Sequence, residues 1–598
     1  MKESLAIRLA LKLPVIGYRL KQAHFDLLTE SGEELLAKQE DAWQVYPRPQ
    51  MKREGWHILN GEWKLNGKKI RMPFPPQAFL SGFSGEVGNQ LTYEKEFVIP
   101  DSFTKDRILL HFGAVDQLAT VSVNGKEVGY HEGGYLPFSC DITNAVREGS
   151  NSLVVKVVDT LSKDYPYGKQ KKKRGGMWYT PVSGIWQTVW LENVPEHYIT
   201  NVKLTPDLCG VDIEVTSAEE HGFTIELNLE NGQKVQRQFA GEKGRLDLTQ
   251  IPLEDGTFYK PLLWTPEQPH LYSMRIWTKT DMVETYFALR TINIEEKSGK
   301  KRVCLNGKPV FLHGVLDQGY YSDGIYLPAK PEEYEKDILR MKELGFNLLR
   351  KHIKVEPDYF YYACDRLGML VMQDMVNNGP YSFLLDTALP TIGMKKRKDT
   401  KGGIQGKRKE FFIRHSKETI AHLYNHPSIV AYTIFNEGWG QFQSDALYDM
   451  VKEWDVTRLV DSTSGWFAQK KNDFDSEHIY FRVIPLSPGK RPLFVSECGG
   501  YTMAVKEHMY SRYASYGYGT CENEEALTEQ IAYMYENMIL PFIKDGVCGC
   551  IYTQLSDVED EINGLYTYDR RVCKVNKDKM RKLADVAKYG TLVDNADR

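Results

Sequence analysis

Two glutamates stand at the ends of apolar, strand-like segments. Glu437 lies in the segment IFNEGWGQF, between Asn436 and Trp439, and Glu497 lies in the segment PLFVSECGG. Apolar neighbours remove water from a carboxylate, and the ionised form is then costly unless charges or hydrogen bonds compensate it. A lone glutamate at such a position is more often a solvated residue at the start of a loop. Two of them in this context favour a pair that moves protons.

A pair of carboxyl groups in one cleft can hydrolyse glycosidic bonds. One carboxyl group must be protonated so that it can donate to the leaving oxygen, and the other must be ionised so that it can attack the sugar or activate water. The separation of Glu437 and Glu497 along the chain does not fix their distance in space. The elements that carry them therefore decide whether they form a pair.

The second half of the chain alternates strand-like and helix-like segments. Eight strands with helices between several of them, in about 300 residues, predict a closed (β/α)8 barrel, and a doubly wound open sheet is the alternative. Catalytic side chains of a barrel follow the carboxyl ends of its strands, and Glu437 and Glu497 stand at the ends of the fourth and seventh. The predicted strands are 309–315, 346–351, 370–375, 429–435, 458–463, 478–483, 492–497 and 549–554, and the predicted helices are 332–344, 357–367, 408–425, 442–454 and 525–543.

The first half has the short, alternating apolar pattern of β-sandwiches. Asn124-Gly125 between two alternating runs predicts a tight hairpin. A repeat of this pattern over about 100 residues has the size of one immunoglobulin-like sandwich. We therefore predict an N-terminal extension at 1–50, a first sandwich at 51–195, an immunoglobulin-like sandwich at 196–296 and the barrel at 297–598.

Composition excludes several classes of function. The 598 residues carry 76 Lys and Arg against 80 Asp and Glu, a formal net charge of −4, which is not the balance of a protein that binds nucleic acid or a membrane surface. We find no run of 18 apolar residues and expect no transmembrane helix. Glu3, Arg8 and Lys12 interrupt the apolar N-terminus, so we expect a cytoplasmic protein without a signal peptide.

Cysteine and glycine patterns give no support for a cofactor. The nine cysteines are an odd number spread along the chain, without the spacing of a disulfide framework or of a C-x-x-C zinc site, which fits a reducing compartment. Neither a G-x-G-x-x-G motif after a strand nor a phosphate-binding loop is present. We expect neither a metal nor a cofactor.

Several long segments resemble glycoside hydrolase family 2, the family of β-galactosidases, β-glucuronidases and β-mannosidases, and they occur in its order. The resemblance covers most of the chain. It implies a jelly-roll sugar-binding domain for the first sandwich and a catalytic barrel, and it rests on the segments LSGFSGEVGNQLTYEKEFVIP, LHFGAVDQLATVSVNGKEVGYHEGGYLPFSCDIT, WYTPVSGIWQTVWLE, LWTPEQPHLY, LNGKPVFLHGV, TIFNEGWGQF and PLFVSECGG.

The resemblance also implies roles for single residues. Glu437 would be the acid/base and Glu497 the nucleophile of a retaining mechanism. Asn436 would bind the 2-hydroxyl of the sugar, and Trp439 would form an apolar wall beside it. Further candidates for binding the sugar or supporting the nucleophile stand at the predicted strand ends; they are Arg350, His352, His478, Tyr480, Trp466, Asp317, Gln318, Gln554, Glu561 and Asn563. For His478 the alternative is a hydrogen-bonded core histidine.

The sugar is predicted from charge. Glucuronidases of the family carry an Asn-x-Lys element before a G-[IL]-[FY]-T-x-D-R segment, and its lysine pairs with the carboxylate of the sugar. Here the segment reads DEINGLYTYDRR, with Asn563 in place of the lysine and Glu561 two residues before it. A carboxylate at Glu561 repels a uronate. We therefore predict a neutral sugar, with a β-galactoside as the family's commonest substrate.

Three alternatives remain open at this stage. Basic stretches at 169–174 and 395–409 favour a β-hexuronidase that uses Arg482 or a loop lysine, although a solvated loop is the simpler interpretation of 395–409. A catalytically dead carbohydrate-binding protein and a transglycosylase are the other two. The expected partner is a small carbohydrate or glycoconjugate, and a homo-oligomer is left open.

Overall fold

Two antiparallel β-sandwiches precede a parallel barrel, which confirms the predicted fold class. The computed structural model describes residues 27–218, 222–391, 393–394, 397–400, 403–511 and 514–589. About half of the predicted N-terminal extension, residues 27–50, and most of the basic stretch 395–409 can thus be placed. Residues 1–26, on which the prediction of an absent signal peptide rests, lie outside the described residues.

The described part of the extension packs on both the barrel and the first sandwich. Helix α1, Glu30–Lys38, begins at Thr29, whose side chain accepts a hydrogen bond from the Gly32 N–H. The hydroxyl and amide of Thr29 also donate to Asp323 of the barrel. Arg48 pairs with Glu192 of the first sandwich at 2.7 Å. The extension therefore joins two domains.

The first sandwich consists of a four-stranded sheet, a six-stranded sheet and a two-stranded ribbon, all antiparallel. Alternate side chains of each strand enter a core around Trp63, Tyr93 and Phe112. The predicted hairpin at Asn124-Gly125 is confirmed, with φ of 50° and 80° between β7 and β8. The strands are β1 Trp56–Ile58, β2 Gly61–Leu65, β3 Lys68–Met72, β4 Gln90–Val98, β5 Arg107–Phe112, β6 Val115–Asp116, β7 Leu118–Val123, β8 Lys126–Glu132, β9 Phe138–Asp141, β10 Ser150–Val158, β11 Gly184–Ile185 and β12 Val189–Val194.

The second sandwich has seven strands in sheets of three and four, the number in an immunoglobulin constant-type domain. A small sheet follows it, and its hairpin β20–β21 crosses the predicted boundary between residues 296 and 297. The strands are β13 Ile199–Pro206, β14 Gly210–Ser217, β15 Phe223–Asn228, β16 Lys234–Phe239, β17 Lys243–Asp247, β18 Tyr272–Trp277 and β19 Met282–Phe287, and those of the small sheet are β20 Ile292–Lys297, β21 Lys300–Leu305 and β22 Lys308–Pro309.

Eight parallel strands form the barrel in the order β27-β26-β25-β24-β23-β32-β29-β28. All eight correspond to predicted strands. The sixth ends at Ile479, earlier than predicted, because Phe481 adopts a φ of 65° and leaves the extended region. The strands are β23 Leu312–Asp317, β24 Leu348–Lys351, β25 Leu370–Asp374, β26 Ile429–Asn436, β27 Leu459–Ser464, β28 Asp475–Ile479, β29 Leu493–Gly499 and β32 Val547–Thr553, with the short β30 Thr502–Met503 and β31 Thr520–Cys521 outside the barrel.

Helices cover the barrel at the predicted places. The last predicted helix continues as a π-helical turn at Tyr535–Ile539 and a 3₁₀ turn at Leu540–Phe542. None of the helices in the described residues is long and apolar enough to cross a membrane. The helices are α2 Glu332–Glu343, α3 Asp358–Leu367, α4 Leu389–Thr391, α5 Lys407–Leu423, α6 Ser444–Trp454, α7 Glu524–Met534 and α8 Lys577–Tyr589.

The barrel closes between its end strands β27 and β28 through side chains. Ser476 of β28 donates to Asp461 of β27 at 2.7 Å, and Ser464 of β27 lies 2.7 Å from His478 Nε2 of β28. These bonds take the place of the backbone ladder that joins the other neighbouring strands. The closure therefore fixes the imidazole of His478.

A segment of the first sandwich, residues 161–183, lies over the carboxyl ends of the barrel strands; we call it the capping segment. Tyr167 donates its N–H to the Asn377 carbonyl at 3.1 Å and its hydroxyl to the Gly379 carbonyl at 2.7 Å, both after β25. On the opposite side, Tyr179 donates its hydroxyl to Glu561, after β32. The mouth of the barrel is thus built by two domains.

Candidate active site

The carboxyl ends of the strands bring the two predicted glutamates together. Glu437 directly follows β26 and Glu497 lies in β29, and a side-chain oxygen of each lies within 4.8 Å of the other. Both residues are buried, at 8% and 5% exposure. This spacing leaves room for one sugar carbon between the two groups.

The backbone at Glu437 is tightly turned. Glu437 and Gly438 have φ of 53° and 70°, in the left-handed region that disfavours side chains other than glycine. A Cβ at residue 438 would lie 2.2 Å from the ring of Phe467 and 2.5 Å from Nη2 of Arg397. The same Arg397 nitrogen donates to the Gly438 carbonyl at 2.6 Å. The basic stretch 395–409 therefore supports the turn that carries Glu437.

Arg350 organises the Glu497 side of the site. Its fully buried guanidinium donates to Glu497 Oε1, to Asp374 and to Asn436 Oδ1, each at 3.0 Å. Because the Asn436 carbonyl accepts from Arg350, its amide nitrogen is the group that can donate to a ligand hydroxyl. Asp374 also accepts from His352 Nδ1 at 2.7 Å, and burial lowers the pKa of His352 to about 4.

Glu497 is held as a carboxylate. The Tyr480 hydroxyl donates to its second oxygen at 2.5 Å, and burial and the charge of Glu497 raise the pKa of Tyr480 well above its usual range, so the hydroxyl stays protonated. Burial alone raises the pKa of Glu497. The electrostatic influence of His478 and Arg350 and the hydrogen bond from Tyr480 outweigh burial and lower the pKa of Glu497 to about 2.

His478 lies between the two carboxyl groups. Its Nδ1 is 3.0 Å from Glu437 Oε1 and 3.6 Å from Glu497 Oε2. With its proton on Nδ1, the ring donates to Glu437 and accepts from the Ser464 hydroxyl through Nε2. His478 is thus a hydrogen-bonded buried histidine, as the alternative for this residue held. It also belongs to the candidate site, because it lies between the two carboxyl groups.

Three further predicted residues, Gln554, Asn563 and Glu561, form a buried polar chain. Gln554 donates to Asn563 at 2.9 Å, Asn563 donates to Glu561 at 3.0 Å, and Glu561 accepts from Tyr179. Gln554 Oε1 is buried and without a partner among the described residues. An unpaired buried acceptor is costly, so this carbonyl is the uncompensated end of the chain.

The contacts beside the cleft differ among three further predicted residues, Asp317, Gln318 and Trp439. Asp317 accepts from Lys351 at 2.6 Å and from the Gly319 N–H, so the protein occupies its carboxylate. Gln318 keeps a buried Oε1 without a partner among the described residues. Trp439 is packed edge-on against Trp178 of the capping segment at 5.1 Å. The indole therefore anchors the capping segment beside Glu437.

Several residues of the site were not predicted. Asp374 stands at the end of the predicted third strand, and the rule that led to Glu437 and Glu497 also points to it. Tyr516 and Tyr518 come from the long connection after β29, where no local pattern marks them. Tyr179 belongs to another domain. Only the packing of the two domains brings it to Glu561.

A cavity of about 420 Å³ opens over Glu437. Trp466 lines it, donates to the Glu437 carbonyl at 3.2 Å and packs edge-on against His478. The rim is apolar, with Phe383 62% and Phe481 64% exposed. Arg482 is exposed at the same rim. The other lining residues are Thr387, Ala388, Pro390, Ile479, Tyr480, Ile484, Tyr516 and Tyr518.

The chain belongs to glycoside hydrolase family 2. Three family profiles match it: the sugar-binding domain at residues 69–195, the domain described as "Glycosyl hydrolases family 2" at 197–290 and the TIM barrel domain at 297–538. These matches confirm the resemblance seen in the sequence.

Curated relatives carry two different activities in their names. A β-galactosidase of Aeromonas hydrophila is 26% identical over 508 residues, 77% of this chain and 46% of that protein. A β-glucuronidase of Mus musculus is 26% identical over 473 residues, 70% of this chain and 66% of that protein. The chain spans about two fifths to two thirds of the length of the relatives it matches.

A solved structure shares the whole fold. The β-D-glucuronidase of Dictyoglomus thermophilum has a TM-score of 0.70 at 19% identity, over 90% of this chain and 98% of that one. At this identity the likeness establishes the fold alone.

Tyr480→Phe should move the acid limb of kcat/KM to higher pH. Glu497 acts ionised, so activity is full above its pKa and is lost as the pH falls through it. A hydrogen bond to a charged group contributes about 1.5–3 kcal/mol, and its loss raises the pKa of Glu497 by about one to two units. The measurement is kcat/KM on an aryl glycoside from about pH 3 to 8.

Tyr533→Phe is the matched control, because Tyr533 is exposed on helix α7, away from the site. An acid limb of Tyr480→Phe that superimposes on that of the unmodified protein would contradict the role given to this hydroxyl.

Proposed function

We propose that the protein is a retaining, exo-acting β-glycosidase in which Glu437 is the general acid/base and Glu497 the nucleophile. The observation that carries the proposal is the pair of side-chain oxygens within 4.8 Å of each other, with Glu497 held ionised by Arg350 and Tyr480. Retaining glycosidases have carboxyl groups about 5–5.5 Å apart, whereas inverting ones need about 6.5–9.5 Å for a water molecule.

The geometry supports two chemical steps. In the first, Glu437 protonates the leaving oxygen while Glu497 attacks the anomeric carbon and forms a glycosyl ester. In the second, Glu437 accepts a proton from water, and the water attacks the same carbon and releases the sugar and Glu497. Asn436 is placed to hold the 2-hydroxyl through both steps, since Arg350 fixes its amide. The hydrogen bond from Tyr480 stabilises the negative charge that returns to Glu497 when the ester breaks.

The capping segment supports exo action. Residues 167 and 179 of this segment bond to the barrel on opposite sides of the mouth. A continuous polysaccharide would have to pass through these contacts. A terminal sugar enters the pocket from the open side, over Glu437, where the cavity lies.

The polar chain on the sugar side favours a neutral hexose, with a β-galactoside as the first choice. Asn563 stands where family glucuronidases carry a lysine, and it is bonded to Gln554 and Glu561. Amides and a carboxylate can exchange hydrogen bonds with hydroxyls. They supply no cation for a uronate, and an unpaired buried charge is costly.

A β-hexuronide is the second candidate, and Arg482 at the rim of the cavity favours it. The basic stretch favours it less, because three of its described cations have protein partners and the other two, Lys398 and Lys407, are exposed. Arg397 pairs with Asp386, Arg408 with Asp164, and Lys409 with the Gln443 side chain. Recruiting them for a uronate would break these contacts.

The aglycone is proposed to present an apolar surface. The leaving group lies on the side of the acid, and the cavity over Glu437 is lined there by Phe383, Phe481 and Ile484. Exposed large apolar side chains that gather at the rim of a cleft are typical of a ligand-binding surface. Here they lie beside the catalytic acid, where only the aglycone can contact them.

The two glutamate variants should respond differently to the leaving group. Glu497→Gln should reduce turnover to background on every substrate, because no ester can form. In Glu437→Gln, kcat/KM should fall about 10²–10⁴-fold for glycosides with poor leaving groups and far less for nitrophenyl glycosides, because the lost function is proton donation. Steady-state kcat/KM over a series of leaving groups measures this difference.

Proton NMR of the first-formed sugar accompanies that series and should show the β-anomer. Equal losses in both variants over all leaving groups would remove Glu437 as the acid, and a first-formed α-anomer would exclude retention. A chain without turnover on any nitrophenyl β-glycoside would be the carbohydrate-binding protein instead.

The unmodified protein should prefer nitrophenyl β-galactoside to nitrophenyl β-galacturonide by about tenfold or more, since about 1.4 kcal/mol of unpaired charge already gives that ratio. The measurement is kcat/KM for both, beside the glucuronide, mannoside, glucoside and arabinoside. A tenfold preference for a uronide that is lost in Arg482→Met would establish the second candidate.

Phe481→Ser should raise KM for aryl glycosides about five- to tenfold and leave that for methyl glycosides unchanged, because partial burial of a phenylalanine is worth about 1–1.5 kcal/mol. Phe258→Ser is the control, since Phe258 is equally exposed but lies in the second sandwich. Equal KM changes for aryl and methyl glycosides would show that Phe481 at the rim does not bind the aglycone.

A further inference from the structure

The capping segment holds Lys169 over the mouth of the barrel. Gly168 has a φ of 63°, and a Cβ there would lie 3.0 Å from the carbonyl of Ile353, the residue after His352. One residue later along the chain, the Lys169 carbonyl accepts the Tyr179 N–H at 3.0 Å. The backbone of Lys169 is therefore fixed between the His352 side and the Glu561 side of the site.

Lys169 is half-buried, and its side chain makes no hydrogen bond or ion pair within the described residues. Two other cations of the same stretch have partners, while Lys172 and Lys173 are exposed. Lys171 lies over the ring of Trp178 at 5.3 Å, and Arg174 pairs with Glu559 at 3.2 Å. Among the described cations of this stretch, Lys169 is therefore the one that is half-buried and has no partner.

Glu561 is the complementary anion. Its oxygens accept from the neutral donors Asn563 and Tyr179, and it makes no ion pair within the described residues. Burial raises the pKa of the Glu561 carboxyl, and the positive charge of Lys169 is the largest influence that opposes this rise. Tyr179 joins the two residues across the domain junction, since its N–H donates to the Lys169 carbonyl and its hydroxyl donates to Glu561.

We propose that Lys169, supplied by the first sandwich, is a specificity-determining residue of the sugar subsite, and that Glu561 balances its charge so that the subsite selects an uncharged sugar. The inference deepens the proposed function and rests on it. A uronate at this subsite is attracted by Lys169 and repelled by Glu561, and it gains little from the pair. A neutral sugar meets no net charge and bonds to the amides of Gln554 and Asn563.

A double-mutant cycle tests the balance with the full chain. The variants are Glu561→Gln, Lys169→Met and the double variant, and the readout is the ratio of kcat/KM for nitrophenyl β-galacturonide to that for nitrophenyl β-galactoside. Glu561→Gln should raise the ratio about tenfold or more, because Lys169 is then unopposed. The double variant should return to within about threefold of the unmodified protein.

Lys173→Met is the matched control, since Lys173 is exposed on the same segment, and it should leave the ratio and the basal activity unchanged. A gain in Glu561→Gln that is equally large without Lys169, or no gain at all, overturns the proposal. So does a Lys173→Met variant that behaves like Lys169→Met, since the basic stretch would then act only through its general charge.

Calorimetry with free galacturonate and free galactose, on the unmodified protein and the three variants of the cycle, measures the ratio of the two binding constants. This ratio does not depend on turnover. If the unmodified protein hydrolyses no glycoside but the binding ratio shifts with Glu561→Gln only when Lys169 is present, the proposed function fails and the balance stands. If hydrolysis of the galactoside is normal and neither ratio responds, the balance fails and the proposed function stands.

Discussion

The guanidinium of Arg350 is the constraint on which the active site depends. It is completely buried on β24, and a charge in that position is tolerable only when it is paired and fully hydrogen-bonded. Asp374 from β25, Asn436 from β26 and Glu497 from β29 supply the partners. Because one cation needs partners from three strands, the register of those strands and the position of Glu497 are set together. The pKa of Glu497, lowered to about 2 against the effect of burial, is a consequence of this arrangement.

Closure of the barrel and positioning of Glu437 use the same side chains. The end strands β27 and β28 meet through Asp461 with Ser476 and through Ser464 with His478. His478 then reaches Glu437 with its other ring nitrogen. A polar contact between strands is weaker than a continuous backbone ladder, and its geometry can be set by the choice of side chain. The barrel thus uses its least regular junction to hold the imidazole between the two carboxyl groups.

Residues whose environment is local could be predicted from the sequence, and residues whose environment is built by another domain could not. Glu437 and Glu497 follow apolar runs that are long enough to be barrel strands, so strand order alone brought them to one face. Asp374 follows the same rule. The partners of Glu561 and the packing of Trp439 depend on Tyr179 and Trp178, which lie more than 250 positions earlier in the chain. No periodic pattern in the sequence of the barrel indicates where the capping segment of the first sandwich packs. The end of β28 was missed for a different reason, because the positive φ of Phe481 has no glycine to mark it.

The division of the sugar subsite between two domains changes what a new specificity requires. A lysine in place of Asn563, as in the family's glucuronidases, would stand between Gln554 and Glu561, which now bond to that position from both sides. Glu561 would neutralise the new cation before a uronate could reach it. Substitution at residue 563 alone therefore gains no site for an acid. Loss of the Glu561 charge frees a cation that the capping segment already holds at the mouth of the barrel, without a change at Arg350, Glu437 or Glu497. The catalytic pair and the charge of the subsite thus depend on different side chains, since Arg350 holds Glu497, whereas Glu561 of the barrel and Lys169 of the first sandwich set the charge of the subsite.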